Sequence, residues 1–166
     1  VLLGVGVVVG AFVLFRPDPC GGTNFESENF GYCIVVPEGW EAGPAQFGAD
    51  VTLDQFAPPT GSATVVVEAV DLETGVGLDQ WSEFVRQRDE SAGLTPGPAS
   101  EARLDGADAL QWDVSVAAEG GDSFLMREVV TVSGNVGWRV TLNDLQDGFD
   151  TSAVVFRDML DSWQFA

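Results

Sequence analysis

Leu110-Gln111-Trp112-Asp113-Val114-Ser115-Val116 decides the fold class. Apolar residues occupy every second position and polar ones fill the gaps. Side chains alternate across a strand, so this stretch reads as a strand with one face in a core. Downstream, Glu119-Gly120-Gly121-Asp122 reads as a hairpin turn, residues 124–132 as the next strand, and Ser133-Gly134-Asn135 as a second turn. Residues 136–142 then place Trp138, Val140 and Leu142 on one face and Arg139 and Thr141 on the other. Upstream, residues 101–104 turn through Asp105-Gly106 into the strand that starts at Ala109.

Further from this centre, residues 63–70 are apolar on both faces, as a covered central strand is. Residues 30–36 and 51–56 read as shorter strands, and residues 43–50 as loop. Residues 78–90 change period. Leu78, Trp81, Phe84 and Val85 share one helical face, with Asp79, Glu83, Arg86 and Glu90 pointing away. Gly93 suits the left-handed close of that helix. Residues 143–150 read as an acidic loop, with Asp150 or Thr151 capping a final helix whose stripe is Val155, Phe156, Met159, Leu160 and Trp163. The expected fold is α+β: an antiparallel sheet of about six or seven strands flanked by helices.

The chain's opening is different in kind. Residues 1–15 carry no charged or polar side chain, and Arg16-Pro17-Asp18-Pro19-Cys20-Gly21-Gly22 follows. Such a run spans about 22 Å as a helix, against about 30 Å for a bilayer core. It is expected to be the end of one N-terminal transmembrane helix that continues upstream of Val1. A cleaved signal peptide is the rival, but no small-x-small cleavage pattern follows the run. A lipidated Cys20 would need small residues before it, where Pro17-Asp18-Pro19 stands. The expected organisation is a membrane anchor over 1–16, a linker over 17–28 and an extracytoplasmic domain over 29–166. Gly6 and Gly10 form a GxxxG that would let another helix pack closely, though a single such motif is common in spanning helices.

Seven Lys+Arg against 26 Asp+Glu give a net charge of −19. Nucleic acid is excluded as a partner, because its phosphates demand basic residues. There is no His, which removes Ser-His-Asp and Cys-His catalysis and His-ligated metals. The sequence also has no Lys, so no Schiff base and no GK[ST] phosphate loop. Paired carboxylates could still act as acid and base, but among 26 acids proximity alone proves nothing. Neither a catalytic residue nor a cofactor is assigned. Residues 143–150 fail the EF-hand test: with Gly148 at position six, Leu145 falls at position three and Val154 at twelve. The five Trp fit core packing better than an aromatic cleft. Cys20 and Cys33, an even pair in an exported domain, are expected to form a disulfide. The alternative is two free thiols with Cys33 buried in a strand.

Several local phrases share an order with a known fold. These are Tyr32-x-Ile34-x-x-Pro37-x-Gly39-Trp40, Leu78-Asp79-Gln80-Trp81, Leu104-Asp105-Gly106-Ala107-Asp108-Ala109 and Phe156-x-x-Met159-Leu160-x-Ser162-Trp163-x-Phe165. Residues 25–165 resemble the PsbP-like α/β/α sandwich and are similar to exported actinobacterial lipoproteins of the LpqN kind. The resemblance implies a non-catalytic binding module. The Lys-poor, Ala-, Gly- and Val-rich composition fits a GC-rich bacterium such as an actinobacterium, or a salt-loving organism. The expected role is a membrane-tethered accessory subunit or protein-binding module on the extracytoplasmic side of a cell membrane. Its expected partner is an integral membrane protein complex, possible hosts being respiratory or secretion complexes. The alternatives are an exported lipid or small-molecule carrier, with such a ligand the lesser expectation, and an envelope sensor.

Overall fold

A computed structural model describes residues 20–44, 53–117 and 123–166. Strands β1 (Phe25–Glu26), β2 (Tyr32–Ile34), β3 (Glu41–Pro44), β4 (Asp54–Ala57) and β5 (Thr64–Asp71) come first. Helix α1 (Leu78–Ser91) follows. Then come β6 (Thr95–Pro96), β7 (Ser100–Leu104), β8 (Ala107–Ala117), β9 (Ser123–Ser133) and β10 (Val136–Leu145). Helix α2 (Gln146–Asp161) and β11 (Gln164–Phe165) close the chain.

The main sheet has eight strands in the order β3-β4-β5-β10-β9-β8-β6, with β7 also on β8. A second sheet, β1-β2-β11, joins the two ends of the described chain. Pairing is antiparallel throughout. The sheet is therefore wider than six or seven strands, because β3 and β6 are short and end on proline, which hides a strand's alternation. Phe25 and Glu26 lie within the stretch expected to be linker, yet they pair with Ile34 and Cys33. The run at residues 30–36 narrows to β2, which is buried throughout.

Consecutive residues of a central strand face opposite ways, and here both faces are covered. Val129 packs with Trp138, Val140, Phe149, Phe156 and Met159 under α2. Its neighbour Val130 packs with Trp81, Val85, Trp112 and Val114 under α1. The result is helix, sheet, then helix plus small sheet. The Asp105-Gly106 turn has φ 47° and 75°, the left-handed pair that a two-residue hairpin requires. Gly93 takes φ +83° after α1, as expected from its place.

Residues 143–150 are not a loop. β10 runs on to Leu145 and α2 begins at Gln146. Neither Asp150 nor Thr151 is the cap: Leu145 holds that position, without a side-chain cap bond. Of the polar residues that suggested a loop, Asp144 is inside the fold, 4% exposed, while Gln146, Asp147 and Asp150 lie on the outer face of α2. Phe84 departs from its expected face and is 54% exposed, stacked on Trp81. Asp89 takes the buried stripe instead. The segment expected to span a membrane, residues 1–15, lies outside the described residues. Among those described, no helix is long and apolar enough to cross a membrane.

Cys20 and Cys33 are bridged, their Cα atoms 5.5 Å apart. The bond ties the start of the described chain to β2. Replacing Cys33 with Ser is expected to cost about 3 kcal/mol, the chain-entropy value for so short a loop, plus the burial of a hydroxyl. Urea unfolding of both proteins under oxidising conditions checks it. At Gly137 a Cβ would lie 2.8 Å from the Trp81 ring. Gly137→Ala is therefore expected to lower stability by roughly 1–3 kcal/mol through overpacking, read in the same unfolding experiment.

Candidate functional site

Polar groups inside this fold are gathered into a few sets. Asp54 on β4 accepts hydrogen bonds from the Ser27 hydroxyl at 2.6 Å, the Tyr32 hydroxyl at 2.8 Å and the Asn29 amide at 3.2 Å. It joins the main sheet to the small one. Burial first, then the charge and hydrogen bond of Asp54, push the Tyr32 phenol far above its usual range, so it stays a donor. At the far end of β10, Asp144 accepts from Ser62, from Ser152 at 2.6 Å and from the Leu145 N–H at 2.7 Å. Its carboxylate is thus occupied by protein. Among the described residues no group of three His, Cys, Asp or Glu could hold a metal ion.

Between α1 and the sheet lies a set of five charged side chains. Arg139 on β10 is at its centre. Its Nη2 donates to Asp89 of α1 at 2.8 Å and to Glu128 of β9, and its Nη1 pairs with Glu68 of β5 at 3.6 Å. Glu68 also accepts two bonds from Arg88 of α1, at 2.6 and 2.7 Å. Glu128 is 0% exposed and Asp89 3%. Burial acts to raise the Glu68 carboxyl, but the bonds and charges of Arg88 and Arg139 outweigh it and lower the pKa. Glu128 goes the other way. Burial pushes it up to about 7, with Arg139 opposing and Asp89 adding to the rise.

On the α2 side, a groove of about 460 Å³ opens at the surface. Phe30, Trp138 and Phe165 supply aromatic lining, while Asp71, Ser133 and Val136 line it from the strand ends. Trp138 stands edge-on to Phe30, with centroids 6.5 Å apart, and tilted to Phe165 at 5.3 Å.

Of the residues singled out from sequence, Cys20 and Cys33 are joined. Gly6 and Gly10 lie outside the described residues. Trp81, Trp112, Trp138 and Trp163 are buried, as core residues should be, and Trp40 packs against the core's edge. Sequence reasoning missed the Arg139 set. It placed Arg139 on the face away from Trp138, which is correct, but that face is covered by α1. A signal existed in Asp89: it follows Trp81 and Val85 at helical spacing, where the buried stripe continues.

No family model matches the chain, and no curated protein matches it. Solved structures do. A crystal structure of a protein from Bacteroides thetaiotaomicron VPI-5482 superposes with a TM-score of 0.64 at 16% identity over 87% of this chain. The chain spans 48% of that protein, about half its length. The solution structure of cyanobacterial PsbP (CyanoP) from Synechocystis sp. PCC 6803 gives 0.61 at 17% identity, covering 89% of this chain and 97% of that one. The fold is PsbP-like. LpqN of Mycobacterium tuberculosis, involved in cell envelope biogenesis, gives 0.52 at 19% identity, covering 81% of this chain and 83% of its own. Identities this low carry the PsbP-like architecture and no residue-by-residue role.

In this PsbP-like sandwich the Arg139 guanidinium holds carboxyls from three elements. Arg139→Met is expected to leave Asp89 and Glu128 buried without their cation and to cost roughly 3–5 kcal/mol. Arg103→Ala, which breaks a pair whose members are 72% and 82% exposed, is expected to change stability by less than about 0.5 kcal/mol. Chemical unfolding of the two variants beside the parent checks the contrast.

Proposed function

We propose that this chain is a non-catalytic, membrane-tethered accessory subunit, a protein-binding module on the extracytoplasmic side of a larger membrane complex. One observation carries the non-catalytic part. The buried polar groups that could do chemistry are spent on holding layers together: Asp54 on Ser27, Asn29 and Tyr32, Asp144 on Ser62 and Ser152, and Arg139 on its acids. What is left for function is surface. Neither CyanoP nor LpqN is named for a reaction.

The tether rests on residues 1–15, apolar throughout and followed by Arg16-Pro17. The Cys20–Cys33 bridge supports an oxidising compartment outside the cytoplasm. The composition supports a GC-rich, actinobacterial source. The groove walled by Phe30, Trp138 and Phe165 is the contact surface we favour, since aromatic clusters beside small polar groups anchor many interfaces. A carrier would need an enclosed apolar cavity, and the groove beside Trp138, the one beside Leu110 and the one beside Phe156 each open to solvent.

The test is extraction of the full chain from its own membranes in mild detergent, then affinity capture and mass spectrometry. The expected outcome is a stoichiometric integral membrane partner, lost with Asp71→Arg and Phe30→Ala at the groove while the far-ultraviolet circular dichroism stays that of the parent. Recovery as a lone monomer, or in the soluble fraction without detergent, overturns the reading.

A further inference from the structure

The set around Arg139 holds more acid than base. Three carboxyls, Glu68, Asp89 and Glu128, face two guanidiniums, Arg88 and Arg139. The neighbouring strands bring no further charge opposite Glu128. Its register partners are Thr141 on β10 and Trp112 on β8, and the Trp112 ring lies under Arg86 of α1. Asp89 and Glu128 each give one oxygen to Arg139 Nη2. Their other oxygens, Asp89 Oδ2 and Glu128 Oε2, are buried and without a partner. Both carboxyls sit on one nitrogen, Arg139 Nη2, and Asp89, by its charge and hydrogen bonding, adds to the rise of Glu128. Ionised together they would set like charges and two orphaned acceptors side by side in a closed space. A single proton on Glu128 changes an acceptor into a donor and balances three carboxyls against two guanidiniums.

We propose that Glu128 keeps a proton beside Asp89, and that this proton latches the C-terminal end of α1 onto the sheet. The geometry confines its effect to that end. Toward its N-terminus α1 is fixed independently, by the Trp81 indole N–H on the Trp138 carbonyl at 3.0 Å. The chain just beyond Asp89 hangs between the latch and Gly97, which Arg86 and the Asp113 carbonyl hold separately. Leu94 donates to the Asp89 carbonyl at 3.0 Å, and β6, which follows, occupies an edge of the main sheet on β8. Proton loss therefore loosens residues 88–96 and leaves Trp81 docked, a local opening rather than unfolding. The domain closes this edge in mild acid and releases it toward neutral pH.

The sign follows from burial. Glu128 binds its proton more tightly folded than unfolded, so its contribution is complete below about 4.5 and lost as pH rises through about 7. Within that window the closing equilibrium weakens by up to about tenfold per pH unit. Glu68, shifted downward, acts oppositely and on the acid side of that window.

Carbon-13 carboxyl titration and amide exchange by NMR, on the full chain in detergent from pH 5 to 8, test the latch. The Glu128 carboxyl is expected to titrate near neutrality. Protection of amides 88–94, corrected for intrinsic exchange, is expected to fall on the order of 100-fold across the window, with the Trp81 indole N–H unchanged. Glu128→Gln, whose amide can donate to Asp89 Oδ2, is expected to keep the protection seen at pH 5 at every pH. A Glu128 carboxyl that titrates below pH 5.5 overturns the proposal, and that measurement needs no variant. So does flat protection in the parent, or a pH dependence that survives Glu128→Gln.

Discussion

Trp138 is where the three layers of this domain are joined. Its backbone carbonyl takes the Trp81 indole N–H from α1 on one face of the sheet. On the other face its ring meets Tyr32 edge-on at 5.8 Å and Trp163 edge-on at 5.7 Å. Tyr32 and Trp163 are themselves stacked at 4.2 Å. Tyr32 belongs to β2 and Trp163 to the link between α2 and β11, so this contact brings the two ends of the described chain together. The small sheet forms there, with Phe165 beside Tyr32 in register. Gly137 follows from the same constraint, because a ring from α1 can rest on β10 only where a side chain is missing.

Covering β10 on both faces has an electrostatic consequence. Alternation sends Arg139 and Thr141 to the side opposite Trp138 and Val140. In a sheet with one wet face those residues would be solvated, and their ion pairs would matter little. Here α1 closes over them, and an ion pair taken out of water must find all its partners or lose heavily. The partners come from β5, β9 and α1, so they reach Arg139 together only in one placement of α1 on the sheet. Arg88 on Glu68 and Arg139 on Asp89 tie the same helical turn to two different strands. The polar set thus specifies a position that Trp81 and Val85, being apolar and tolerant of sliding, would leave loose.

The elements legible in the sequence are those whose signal is local. α1 spans Leu78–Ser91, within a residue of its pattern, and the hairpins at Asp105-Gly106 and Gly134-Asn135 lie where the turn residues put them. The elements that escaped depend on distant partners. Asp144 resembles a loop residue until Ser62 and Ser152 are brought to it, and only then is a buried carboxylate at the end of a strand tolerable. β3, β6 and β11 are too short to show a period, and they exist because a longer strand offers them an edge. The disulfide was readable from an even pair of cysteines only together with the reading of the domain as exported, and two free thiols were the alternative. The Arg139 set was half readable: Asp89 interrupts an apolar stripe and Glu128 precedes Val129 and Val130, but which of 26 acids meet Arg139 is a matter of tertiary placement.

The chain's acidity acts on two scales that must be kept apart. Arg88, Arg103, Arg127 and Arg139 are each committed to named carboxylates, so much of the excess negative charge stands unopposed at the surface. At physiological ionic strength such charges are screened over about 8 Å. They govern solubility, and added salt weakens that effect. The pair of Asp89 and Glu128 is shielded from counterions by α1. The raised proton affinity of Glu128 comes first from burial, against the opposing charge of Arg139, and burial is not removed by salt. A salt-sensitive surface and a salt-insensitive interior pair can therefore coexist in one small domain, and ionic strength separates what each contributes.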